Sequence, residues 1–184
     1  MLVDYIILKL FCRPHKSFHL VPSVRRRSPN GHHVTFTADG ILKEFKSINA
    51  QVFEYIRLVY EAKLLNVEWG RICGEKSILI MRLGVQLRTA LANGSTTREV
   101  AIASVRAGLD QLHQLGLAHC DVKVGNVFVD FNGVVFLDDI EYLTPVHSSL
   151  QHWKGPLPQG CERPATARDL DELQFECFRL EIFR

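Results

Sequence analysis

His119-Cys120-Asp121-Val122-Lys123-Val124-Gly125-Asn126, continued by Val135-Phe136-Leu137-Asp138-Asp139, is the stretch on which the reading of this chain turns. Its polar residues stand at linked distances: a lysine two places after Asp121, an amide five places after it, and Asp139 thirteen places after Asn126. Between the two halves lies Asp130-Phe131-Asn132-Gly133, a turn signal flanked by the apolar runs Val127 to Val129 and Val134 to Leu137. Phosphoryl transfer needs a carboxylate to orient a hydroxyl, a cation to offset charge on the moving phosphate, and two oxygen ligands for Mg²⁺. The segment offers these groups in that order.

Toward the N-terminus the apolar period becomes helical. Ile102, Val105, Leu109 and Leu112 share a face, opened by a predicted capping box at Thr96-x-x-Glu99 and stopped by Gly116. Two strand candidates precede it, Val67 to Cys73 and Ser77 to Leu83, joined by Gly74-Glu75-Lys76. Residues 47 to 65 predict another helix, with Ile48, Val52, Tyr55, Val59 and Ala62 as its apolar stripe and Glu54, Leu58, Glu61 and Leu65 as a second one. His33 to Thr37 and Ile41 to Phe45, around Ala38-Asp39-Gly40, predict a β-hairpin. Residues 12 to 33 hold three prolines and the run Arg25-Arg26-Arg27, and read as an irregular, solvated segment with degenerate first strands as the alternative. Toward the C-terminus, four prolines between residues 144 and 166 predict a long irregular loop. A closing helix from Asp169 onward then carries Leu170, Leu173, Cys177 and Leu180 on one side.

The deciding stretch resembles the catalytic and metal-binding loops of protein kinases. The family pattern H-R-D-L-K-x-x-N, a glycine turn, then D-F-G is met by His119 to Asn126, Gly133, and Asp139-Ile140-Glu141. The resemblance implies that Asp121 is the catalytic carboxylate and that Lys123 neutralises the γ-phosphate. It implies further that Asn126 and Asp139, rather than Asp138, hold Mg²⁺. It extends upstream, where Ile41-Leu42-Lys43 is similar to the V-A-I-K strand, so that Lys43 contacts the ATP phosphates with Glu54 as its helix partner. Glu61 is the alternative partner, but it leaves under two turns of helix before the next strand. Met81 falls at the gatekeeper position, and Arg82 to Val85, with Leu83 among them, at the hinge that meets adenine. Asp169 resembles the aspartate that opens the large central helix and anchors the catalytic loop. The implied fold is α+β and protein kinase-like with two lobes. Residues 1–33 are an irregular N-terminal segment, 34–84 a small antiparallel β N-lobe, and 85–184 a truncated α-helical C-lobe.

The departures from the family pattern are specific. No G-x-G-x-x-G precedes the hairpin, Cys120 replaces the arginine before the acid, Glu141 replaces the D-F-G glycine, and no clear A-P-E follows. The expected function is ATP- and Mg²⁺-dependent phosphoryl transfer to a protein Ser/Thr hydroxyl, since Lys123 resembles Ser/Thr kinases. Two alternatives stand beside it. Asp139-Ile140-Glu141-Tyr142 resembles the D-F-E-Y of choline kinases, which implies a small-molecule acceptor, as in the choline and aminoglycoside kinases. The missing glycine loop and missing later helices imply an inactive pseudokinase or fragment that acts as a binding module.

Composition narrows the partners. The chain has 184 residues, 47% hydrophobic and 23% charged, with 22 Lys+Arg against 20 Asp+Glu for a formal charge of +2. That is globular composition, and it makes no electrostatic case for nucleic acid or an anionic membrane as partner. Five scattered cysteines without a C-x-x-C pair suit reduced thiols in the cytoplasm, with the nucleus as the alternative. The opening MLVDYIILKLF is interrupted by Asp4 and Lys9 and reads as a core-packed strand or short helix rather than a signal peptide. Cys120 reads as a buried, inert thiol.

Overall fold

The computed structural model describes residues 24–27, 33–37, 40–44, 48–66, 70–72, 77–80 and 84–184. The first elements are antiparallel strands β1 (Val24–Arg27), β2 (His33–Thr37) and β3 (Gly40–Glu44). The predicted hairpin is β2–β3, closed by Thr37 opposite Gly40, so the glycine opens the second strand. The arginine run, expected in a loop, lies in β1, where Arg25 stands opposite Thr35 and Arg27 opposite His33. Charged residues suit that place, because among the described residues β1 is an edge strand and cations discourage further pairing. The reading of residues 1–11 falls outside the described residues.

Helix α1 (Ala50–Glu61) follows, with Asn49 capping the Gln51 N–H at 2.8 Å. It buries Phe53, Ile56, Val59 and Tyr60, while Ile48, Val52 and Tyr55 are only partly covered. The core face is therefore rotated from the predicted stripe and shares only Val59 with it. After a kinked 3-10 turn at Leu64–Asn66, strands β4 (Gly70–Ile72) and β5 (Ser77–Ile80) complete a five-stranded sheet in the order β1-β2-β3-β5-β4.

The rest is mainly helical. Strand β6 (Gly84–Gln86) leads into helix α2 (Leu87–Ala92), and α3 (Arg98–Gln114) runs on to β7 (Leu117–Ala118). The hairpin β8 (Val127–Asp130) and β9 (Val135–Leu137) adds to β6, and β10 (Thr144–Pro145) pairs antiparallel with β7. Gly84 is required here, since a Cβ would fall 2.7 Å from the Val129 carbonyl oxygen. Helix α3 is capped by Thr97, not by the predicted Thr96: the Thr97 hydroxyl accepts from the Val100 N–H at 3.3 Å. Both threonines precede the same apolar face, and only the backbone decides which is extended. The predicted stop holds, with Gly116 at φ 76 just beyond the cap.

Helix α4 (Ala167–Ile182) closes the fold behind a capping box in which Thr166 and Asp169 hold each other's backbone N–H groups. One core joins α1, α3, α4 and the β8–β9 hairpin around Ile56, Leu109, Leu137 and Phe178. A smaller one sets Cys120, Val146, Leu150 and Leu170 together beneath the proline-rich segment. That segment is irregular as expected, yet Leu157 and Trp153 pack on this second core. The architecture is α+β with small antiparallel sheets. Among the described residues, no helix is long and apolar enough to cross a membrane.

Candidate active site

The His119–Asn126 loop leaves β7 and is held by its main chain. Two side chains of α4, one turn apart, do most of the holding. The fully buried Asp171 carboxylate accepts the His119 N–H at 2.8 Å and the Cys120 N–H at 2.7 Å. The Gln174 amide accepts the Val122 N–H at 2.8 Å and donates to the Cys120 carbonyl at 3.2 Å. His113 of α3 adds a third contact to Asp171 at 2.9 Å. Hydrogen bonds to a buried charge are worth about 1.5–3 kcal/mol each. They sustain a left-handed Cys120, φ 61, a conformation that costs on the order of 1–3 kcal/mol for a non-glycine residue.

The anchor expected at Asp169 is thus Asp171; Asp169 stays at the helix entrance, in the capping box. Asp171 and Gln174 were missed because they interrupt the apolar pattern of a helix face. The core side of α4 is Leu170, Asp171, Gln174, Phe175 and Phe178, whereas Leu180 of the predicted stripe is 65% exposed. Two buried polar residues three apart on an otherwise apolar face were the signal available.

Held this way, the loop gathers three of the predicted residues. The Asp121 side chain is only 4% exposed, and its Oδ2 accepts from Lys123 Nζ at 2.6 Å and from Asn126 Nδ2 at 2.8 Å. Asn126 Nδ2 also donates to the Asp121 carbonyl at 2.9 Å. The amide nitrogen is engaged, so the Asn126 oxygen is the group available to a cation. Lys123 is half exposed and reaches the acid from the solvent side.

His119 joins this loop to the second half of the motif. Its Nδ1 accepts the Asp121 N–H at 3.2 Å, so the proton sits on Nε2, which donates to the Asp138 carbonyl at 3.2 Å. Burial lowers its pKa against the pull of Asp171 and Asp121, which keeps the ring neutral. The Asp138 N–H donates in turn to the Asn126 carbonyl at 2.9 Å. The Asp138 carboxylate accepts from the buried Tyr60 hydroxyl at 3.3 Å, and burial followed by the Asp138 charge raises the tyrosine well above its ordinary pKa. Asp139 takes φ 67, the other left-handed residue of the site. Asp139 acts electrostatically on His119 and on Tyr142, as Asp121 does, and so belongs to the same cluster.

The upstream candidates fare differently. Lys43 lies in β3 opposite Val34 and Ile78, and α1 follows that strand directly. Glu54 is 55% exposed and bonds Arg57 at 2.8 Å; Glu61 bonds the same arginine at 3.1 Å, so the two glutamates do point the same way. Met81 and Leu83 lie outside the described residues. Cys120 is fully buried, and burial pushes its thiol far up, as suits an inert cysteine.

A cleft of about 650 Å³ opens beside Asp121 and Lys123, walled by Arg88 of α2, by Gln174, Cys177 and Glu181 of α4, and by the segment from Pro156 to Gln159. Arg88 and Glu181 pair across its rim at 2.5 Å. Among the described residues, no three His, Cys, Asp or Glu side chains form a metal-holding group; Asn126 with Asp139 is a different donor set. No protein-family model matches the chain, and no curated protein matches it.

Proposed function

We propose that this chain transfers the γ-phosphoryl group of ATP to a protein Ser/Thr hydroxyl on a protein kinase-like, two-lobed fold. The observation that carries the reading is the buried Asp121, whose Oδ2 is bridged by Lys123 and Asn126 while the residue borders an open cleft. With Oδ2 held by two donors, Oδ1 is left to accept the proton of an acceptor hydroxyl. Lys123, half exposed at 2.6 Å from that carboxylate, lies where positive charge meets the transferred phosphate. In support of the two lobes, the five-stranded sheet forms one part and α2 to α4 with the β6–β8–β9 sheet the other, with α1 buried in the core of the second.

Asn126 and Asp139 fit Mg²⁺: both are oxygen donors, and the amide oxygen is the free end of Asn126. Bound there, the metal supplies charge neutralisation at the nucleotide phosphates. On the resemblance, Lys43 and Glu54 would serve the ATP phosphates and Met81 and Leu83 the base, with Glu54 paired to Arg57 and 55% exposed.

A small-molecule acceptor is the second reading. It is favoured by the cleft's volume, within the roughly 300–1,000 Å³ of ligand pockets, and by Tyr142, which feels the Asp121 and Asp139 charges. The test is phosphate transfer from labelled ATP, with a Ser/Thr peptide library in one arm and aminoglycosides and amino alcohols in the other. Asp121→Asn should lower turnover by about 10²–10⁴-fold while nucleotide binding persists. Undiminished transfer in that variant would remove Asp121 from the mechanism. No transfer by the unmodified chain to either class would favour a nucleotide-binding or partner-binding module.

A further inference from the structure

Charge is distributed unevenly along the cleft that Asp121 and Lys123 border. Asp121 is already held, by Lys123 at 2.6 Å and by Asn126 at 2.8 Å. Glu181, the other carboxylate among the described lining residues, is taken by Arg88. Arg184 lines the same cleft and is exposed, and its guanidinium has no ion-pair partner among the described residues. Three cationic side chains therefore face two carboxylates, and one cation is unmatched. Between the charges lie the exposed Leu180 and the partly buried Leu157 and Pro158. Helix α4 sets the spacing. Gln174 stands at its inner end, where it holds the Val122 N–H, next to Asp121, at 2.8 Å. At about 1.5 Å of rise per residue, Glu181 lies about 10 Å along the helix from Gln174, and Arg184 about 15 Å. An extended peptide covers about 3.3 Å per residue, so the two places are roughly three to five residues from a hydroxyl set at Asp121.

We propose that the acceptor is an acidic protein segment, with its Ser or Thr hydroxyl at Asp121 and Asp or Glu side chains roughly three to five positions away meeting Arg88 and Arg184. This rests on the phosphoryl-transfer reading of the same site. A guanidinium presents a planar fork that a carboxylate matches with two parallel hydrogen bonds. The exposed Arg88–Glu181 pair contributes little to stability, so an arriving carboxylate can share Arg88 or displace Glu181 from it. Arg184 gains a partner where it has none. Leu180, Leu157 and Pro158 give the intervening side chains an apolar seat. A segment carrying Lys or Arg at those positions would instead meet three cations and find both carboxylates occupied.

The test uses the full chain and a set of fluorescein-labelled peptides matched around one serine. One carries glutamates at the proposed places after the serine, one carries them before it, and one has glutamines on both sides. Fluorescence anisotropy reads binding, and labelled ATP reads transfer. One of the glutamate peptides should bind about 2–5-fold tighter per matched arginine than the glutamine peptide, and added salt should shrink that advantage. Arg88→Ala and Arg184→Ala should each erode it, and Glu181→Gln, which releases Arg88, should enlarge it. Arg179→Ala removes a cation of α4 outside the cleft and should leave it unchanged. Equal binding of all the peptides overturns the proposal, as does an advantage that Arg179→Ala erodes as much as Arg184→Ala. Transfer to all of them without preference also overturns it, while sparing the phosphoryl-transfer reading. Acid-preferring binding that depends on Arg88 and Arg184, without any transfer, upholds the recognition surface and overturns that reading instead.

Discussion

The Cys120 N–H donates to the Asp171 carboxylate at 2.7 Å, across the junction between the His119–Asn126 loop and helix α4. Asp171 is fully buried, so Asp171→Ala leaves several buried donors unmet, and about 3 kcal/mol of stability should be lost in urea unfolding. Asp169→Ala removes only an exposed capping contact and should cost about 0.5–1 kcal/mol. The reverse order would return the anchor to Asp169.

Asp139→Asn tests the metal position. Nucleotide at ~100 times its dissociation constant stabilises by about 2.7 kcal/mol, a rise of roughly 5–10 °C for a chain of this size. In the unsubstituted protein most of that rise should require Mg²⁺; in Asp139→Asn the Mg²⁺-dependent part should vanish. Thermal-shift titration reads both. If Asp138→Asn erased it instead, the second aspartate would not be the ligand.

His119 sets a pH dependence. Its folded pKa lies below the ordinary 6.5, because burial disfavours the imidazolium. As pH falls through 6.5 the unfolded chain takes up a proton that the folded ring refuses, so the His119 contribution is complete above that value and is lost below it. A histidine Cε1–H NMR titration should find the His119 midpoint under 6.5. A midpoint at or above 6.5 would mean that the carboxylates, not burial, govern the ring.

Gly155 lies against the Trp153 indole, and a Cβ there would clash with the ring. That indole donates to the Pro156 carbonyl at 3.4 Å, the same carbonyl that Gln174 reaches. Gly155→Ala should therefore displace the tryptophan and cost about 1–3 kcal/mol. With Trp69→Phe as background, Trp153 fluorescence should shift to the red. Unchanged emission would show that the segment yields without losing its packing.

Local signals were readable where one rule decides the matter. Gly116 and Gly133 end or join elements as read, because glycine and Asn/Asp chemistry act through neighbouring backbone alone. Asp121, Lys123 and Asn126 come together because five residues of loop keep them within reach of one another. Faces were less legible. Ile48, Val52 and Tyr55 look like a core stripe, yet Phe53, Ile56 and Tyr60 turn inward, since the packing partners on α3 and β9 lie far away in sequence. Arg25–Arg27 looked like a loop because strand pairing, not composition, makes an edge strand. Asp171 and Gln174 stay hidden in the sequence because an inward polar residue adds nothing to an apolar period.

The anchoring of the loop through backbone N–H groups has a kinetic side. The amides of His119, Cys120 and Val122 end on two side chains of α4, so none of them can meet solvent until that helix lets go. Their hydrogen exchange should then run at the pace of α4 opening as one cooperative unit, even though all three lie in an irregular loop. Asp121 is consequently timed with helix α4: its position is established when α4 docks and persists as long as α4 stays.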